Sequence, residues 1–184
     1  MKIVRVTALA AIALLVGIGI GIAKDKGGLG IDAIRGKPPK EAGMSALTEA
    51  ERLAGKGTWE LIAVGRVYYL SGDKPRGQAI FDRVTSGKPG GSDWERIGQV
   101  YAEAGENDRA ADCFQKMLAA DSKDDTGQAL VGAWYIRQGQ RDKGEALLAQ
   151  AFQRNPEEVW HYLAAAEAFL GVQDLFWIAL KGLR

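Results

Sequence analysis

The sequence predicts an all-α protein, a solenoid of stacked helix hairpins. Three observations carry that prediction. First, Gly65-x2-Tyr68-x3-Gly72 recurs as Gly98-x2-Tyr101-x3-Gly105 and again as Gly132-x2-Tyr135-x3-Gly139, at intervals of 33 and 34 residues. Two further series keep those intervals: Phe81, Phe114 and Leu148, and then Pro89, Ser122 and Pro156. Second, each copy holds two apolar-periodic stretches of about a dozen residues, split by Gly and polar residues. Third, 184 residues with 47% hydrophobic and 26% charged side chains suffice for a buried core and exclude a disordered chain.

Composition also excludes some functions. Lys plus Arg is 24 against 23 Asp plus Glu, a net charge of +1, so no basic excess exists to drive nucleic-acid binding. One Cys and one His exclude a disulfide framework and a zinc site built on Cys and His.

The elements follow in chain order. Lys2 and Arg5 precede an uncharged apolar run, Val6 to Ala23, of 18 residues. As a helix it spans about 27 Å, close to a bilayer core, so length does not separate a cleaved export signal from a retained anchor. Gly21-Ile22-Ala23 before Lys24 has the small residues of a signal-peptidase site, whereas Gly17 and Gly21 form a GxxxG pair. The Lys and Arg residues at 24, 26, 35, 37 and 40 would hold a retained anchor's downstream domain in the cytoplasm. The expectation is export, with residues 1–23 as signal peptide or signal anchor and 6–23 as the possible inner-membrane attachment. Cleavage would remove two basic residues and no acid, taking the charge from +1 to −1.

Residues 24–43, rich in Gly and Pro, read as a flexible linker. Residues 44–57 read as an N-terminal capping helix (Ser45 to Ala54), 58–158 as three repeats, and 159–184 as a degenerate fourth repeat with a C-terminal cap. Ser92-Asp93-Trp94-Glu95 has the form of a capping box, and Asn155-Pro156-Glu157-Glu158 offers an N-cap followed by proline in the first turn. Gly65, Gly98 and Gly132 lie inside helices, where each costs about 1 kcal/mol relative to Ala. Close crossing of the two helices of a hairpin offsets that cost. The tyrosines are expected to bury their rings and turn their hydroxyls to water. Gly72, Gly105 and Gly139 are expected to end the first helices in the left-handed region.

Period and pattern together resemble the tetratricopeptide repeat, or TPR. The middle copy is the fullest match: Trp94-x2-Ile97-Gly98-x2-Tyr101 on the first helix, then Ala110-x3-Phe114 on the second. The resemblance covers residues 58 to 158 and implies a right-handed solenoid. Gly77 and Gly144 depart from it, standing where the family prefers Ala, and they read as weakening helix propensity and packing.

Residues suited to chemistry are sparse. His161 has no acid–hydroxyl or acid–thiol constellation near it in sequence and reads as structural or surface. Cys113 reads as a small buried apolar residue. Asp121, Asp124 and Asp125 read as caps and a solvated turn, lacking calcium-loop spacing. The chain is therefore expected not to be an enzyme and to need no cofactor or metal.

The TPR resemblance implies a groove lined by first helices that receives a protein segment. Projection places Trp59, Ile62, Arg66 and Tyr69 on that wall from the first repeat, and Glu95, Gln99 and Glu103 from the second. Ala129, Ala133, Ile136 and Arg137 follow from the third, and Trp160 and Leu163 continue the wall. The Asn and Lys set of chaperone-tail clamps is absent there: Ile62 and Arg66 occupy the matching positions. The expected function is a protein–protein scaffold or assembly adaptor of the bacterial cell envelope. The alternative is a homo-oligomeric structural protein that self-associates through the apolar stretch Asp174 to Arg184, with Trp177 and Ile178 outward.

Overall fold

The computed structural model describes residue 28 and residues 30–172. The expected signal or anchor (1–23) and the apolar stretch with Trp177 and Ile178 lie outside the described residues. Within them the regular structure is wholly helical. A single 3-10 turn, Ile31–Ala33, precedes α1 (Pro39–Ala54), α2 (Thr58–Leu70), α3 (Lys74–Thr85), α4 (Gly91–Glu103) and α5 (Asn107–Ala120). Then come α6 (Asp125–Arg137), α7 (Arg141–Arg154) and α8 (Val159–Leu170). Helices α2 with α3, α4 with α5 and α6 with α7 form three hairpins. No described helix is long and apolar enough to cross a membrane.

α1 starts at Pro39, inside the stretch expected as linker, because proline at the first helical position has the right φ and no amide to satisfy. It caps the first hairpin by packing on α2 and burying Leu47. α4 starts at Gly91, with Gly90 as N-cap, so Ser92 lies within the helix. Asp93 at the third position accepts the Gly90 N–H at 3.0 Å. α8 starts at Val159 and not at Pro156: Pro156 and Glu157 form a turn, and Glu158 caps by accepting the Trp160 N–H at 3.1 Å. The acidic segment between the second and third hairpins does cap and turn. Asp124 accepts the Gly127 N–H at 2.8 Å and Asp121 that of Lys123 at 3.1 Å.

Gly72, Gly105 and Gly139 adopt φ of 104°, 75° and 76° at the ends of the first helices. The next residue's N–H then reaches back to the carbonyl of the repeat tyrosine: Asp73 to Tyr68, Glu106 to Tyr101 and Gln140 to Tyr135, at 2.9, 2.8 and 2.9 Å. These are the bonds that close a helix end on a left-handed residue.

The crossings explain the interior glycines. A Cβ on Gly65 would lie 2.6 Å from the Phe81 ring, and one on Gly98 would lie 2.8 Å from the Phe114 ring. Gly77 and Gly144, expected from the sequence to weaken helix propensity and packing, belong to the same contacts. A Cβ on Gly77 would meet the Gly65 carbonyl oxygen at 2.7 Å, and one on Gly144 would meet that of Gly132 at 2.5 Å. They let two backbones touch, which offsets their low helix propensity.

α6 is buried continuously from Gly127 to Tyr135. One side, with Val131, Trp134 and Tyr135, joins the core of the first two hairpins. The other, with Ala129, Leu130 and Ala133, joins a second core with Leu148, Ala164 and Ala168. The alanines let α6 and α8 approach closely. Helices α4 and α6 stay farther apart, and the joint between the second and third hairpins runs through Phe114 and Trp134, whose rings lie 5.0 Å apart edge to face.

Candidate interaction surface

Trp59 and Arg66 on α2, with Arg96 and Glu103 on α4, build a surface across the first two hairpins. Trp59 stays 43% exposed. The Arg96 guanidinium stacks over its indole at 4.1 Å, a contact that fixes both planes. Arg66 Nε donates to Glu103 Oε2 at 2.7 Å, tying α2 to α4. On α4 itself, Gln99 donates to Glu95 at 3.1 Å. Five of the expected wall residues, Trp59, Arg66, Glu95, Gln99 and Glu103, are thus at least partly exposed along these two helices.

Others are not on the wall. Ile62 is 3% exposed and Tyr69 2%, both inside the main core. Ile62 is buried because α2 packs on both α1 and α4, so the first repeat is no free end. Ala129 and Ala133 are closed off by α8. Ile136 and Trp160 are half-buried against that second core, and Arg137 is half-buried at the end of α6. Leu163 is exposed on α8.

Arg96 is the residue that sequence reasoning missed. It falls in register with Ala63 and Leu130, so the repeat gives it no charge signature. Another missed set did have a signal. Arg76, Arg109 and Lys143 recur at 33 and 34 residues. Each lies over the tyrosine of its own hairpin: Tyr68 at 4.3 Å, Tyr101 at 4.0 Å and Tyr135 at 3.8 Å. The tyrosine hydroxyls do not turn to water as expected. Tyr68 donates to Glu51 at 3.2 Å and Tyr101 to Gln78 at 2.9 Å, and the Tyr135 hydroxyl is buried.

A polar clamp joins the first two hairpins. Glu106 accepts from Lys74 at 2.6 Å, from the Tyr69 hydroxyl at 2.7 Å and from Arg109 at 3.0 Å. The Lys74 ammonium foremost, then the Tyr69 hydroxyl, hold its carboxyl down at about 2. Burial first, then the Glu106 carboxylate, push the Tyr69 hydroxyl up to about 12. These charges serve the joint between hairpins and fix the α2–α4 surface in place.

Little here is arranged for covalent chemistry. Cys113 is buried, and desolvation pushes its thiol up to about 11, the opposite of an activated nucleophile. His161 is wholly buried in α8, its Nε2 3.8 Å from the Asp125 carboxylate, and reads as structural. Among the described residues no group of His, Cys, Asp and Glu is placed to hold a metal ion.

No protein-family model matches the chain, and no curated protein sequence does. Among solved structures it is similar to the crystal structure of MamA, a TPR-like protein, with a TM-score of 0.51 and 16% identity. The match covers 72% of this chain and 77% of MamA. At that identity the likeness is one of architecture, and it agrees with the hairpins, the glycine crossings and the repeat period: the chain folds as a TPR-type solenoid.

Proposed function

We propose that this protein is an interaction scaffold of the bacterial cell envelope that receives a segment of a partner protein on the α2–α4 wall. A TPR-like fold supports a protein-binding role in general and is generally non-enzymatic. The observation that carries the finer reading is the half-exposed Trp59 under Arg96, beside the Arg66–Glu103 pair. Trp and Arg dominate binding hot spots, and here both are held in place before any partner arrives. The envelope assignment rests on the basic start and apolar run of residues 2–23.

Two experiments test this. A photo-crosslinking residue at position 59 should trap a partner in cells, and Arg96→Ala should reduce the trapped product several-fold. A crosslink yield indifferent to Arg96 would argue against this wall. Protease added to intact spheroplasts should digest a C-terminally tagged chain. Protection until detergent is added would place the domain in the cytoplasm, held by the N-terminal segment.

A second reading is self-association through the C-terminal end. It is favoured by the outer side of α8, where Leu163, Phe169 and Leu170 are exposed, the last by 76%. Light scattering over a concentration series decides it, and a strict monomer would end this reading.

A further inference from the structure

A cavity of about 370 Å³ lies among α3, α4 and α5. That volume is in the range of sites that hold a small molecule or a side chain, roughly 300–1,000 Å³. Its lining includes half-buried Trp94, with the buried Phe81 and Tyr101 behind it. Two of these already hold a cation: Lys116 Nζ lies 4.7 Å from the Trp94 ring, and the Arg109 guanidinium 4.0 Å from Tyr101. The cavity also has three carboxylates, on Asp82, Asp108 and Asp112.

The balance of charge decides what fits. Lys116 is taken up by Asp112 at 2.6 Å. Arg109 is taken up by Glu106 at 3.0 Å and by the Tyr69 and Tyr101 hydroxyls at 2.7 and 2.8 Å. Asp82 accepts only a neutral amide, that of Gln78 at 2.7 Å. Asp82 and Asp108 thus have no cationic partner among the described residues. A cavity with two carboxylates that lack a cationic partner attracts an ammonium or guanidinium group and repels an acid.

We propose that this cavity is a second docking site, distinct from the α2–α4 wall, for a basic segment of a partner protein. A Lys or Arg side chain enters it. The aliphatic stem packs beside half-buried Trp94, and the charge is met by Asp82 and Asp108. The site goes beyond the scaffold reading, which concerns the first-helix wall.

The test is an NMR titration of the purified full chain with a blocked Lys-Leu-Lys tripeptide, using blocked Glu-Leu-Glu as control. The basic peptide should give saturable shifts at the Trp94 indole N–H and along α3 and α5, and the acidic one none there. The exposed pair Asp82→Asn with Asp108→Asn should weaken binding at least tenfold. Asp108→Lys alone should do the same if the double variant folds poorly. Trp59→Ala should leave this binding unchanged, which separates the site from the wall. The proposal is overturned by equal shifts from both peptides, by affinity that ignores the aspartates, or by shifts centred on Trp59, Arg66 and Glu103.

Discussion

Gly144→Ala separates two opposite expectations. Helix propensity alone predicts that it stabilises the protein by about 1 kcal/mol, since Gly144 lies inside α7. The crossing predicts the reverse. The new Cβ would lie 2.5 Å from the Gly132 oxygen, 2.5 Å from Ile136 Cγ1 and 3.0 Å from the Ile136 backbone nitrogen. Two of those atoms are backbone and yield only if α7 moves away from α6. Overpacking a rigid site costs about 3 kcal/mol at the upper end, so the net loss is about 2 kcal/mol after the propensity gain. With a urea m-value of about 2 kcal/mol/M, the midpoint should fall by about 1 M. Gly43→Ala is the control. Gly43 lies in α1 with nothing within 4 Å of a built Cβ, so there propensity acts alone and the midpoint should rise slightly. The second hairpin carries Ala110 at the register of Gly144, so a methyl is tolerated where the backbone leaves room. A Gly144→Ala midpoint at or above that of the parent would refute the close-crossing argument.

Three other perturbations have definite outcomes. Glu106 sits at about 2 against an ordinary 4.5, so its folded value is depressed. Its contribution is full above the ordinary value and is lost as pH falls toward 2. With solvent screening this is roughly 1–3 kcal/mol, and the stability difference between the parent and Glu106→Gln should shrink by that amount between pH 6 and pH 2 in urea melts. Phe114→Ala empties the space above Gly98 and removes the ring against Trp134, so it should cost about 3–5 kcal/mol by the same melts. The Cys113 thiol, buried and raised to about 11, should react with a disulfide reagent at pH 8 on the order of a hundredfold more slowly in the folded chain than in urea.

The repeat was legible because stacking hairpins impose the same demand at the same register each time. Glycine at the crossing, tyrosine one turn on and glycine at the helix end are local requirements, and a sequence displays local requirements directly. The cations over the tyrosines keep the same period, as Arg76, Arg109 and Lys143, but a cation at a repeat position does not by itself say which ring it covers. Helix starts were read less well. Capping depends on which of several adjacent Ser, Asp, Glu and Gly residues turns its side chain inward, and neighbours compete.

What the sequence determined by itself was the class of fold, the hairpin count and the residues that close each hairpin. What only the tertiary structure decided was exposure. Ile62 and Tyr69 sit at repeat positions that face outward on an isolated hairpin, yet α1, α4 and the Glu106 clamp bury them. Ala129 and Ala133 vanish beneath α8 in the same way. Arg96 gains its place because a tryptophan from the preceding hairpin lies beneath it. Apart from the cover that α1 gives Ile62, each of these depends on a neighbouring hairpin or helix about thirty or more positions away, brought together by stacking, and no local pattern encodes a contact across that distance.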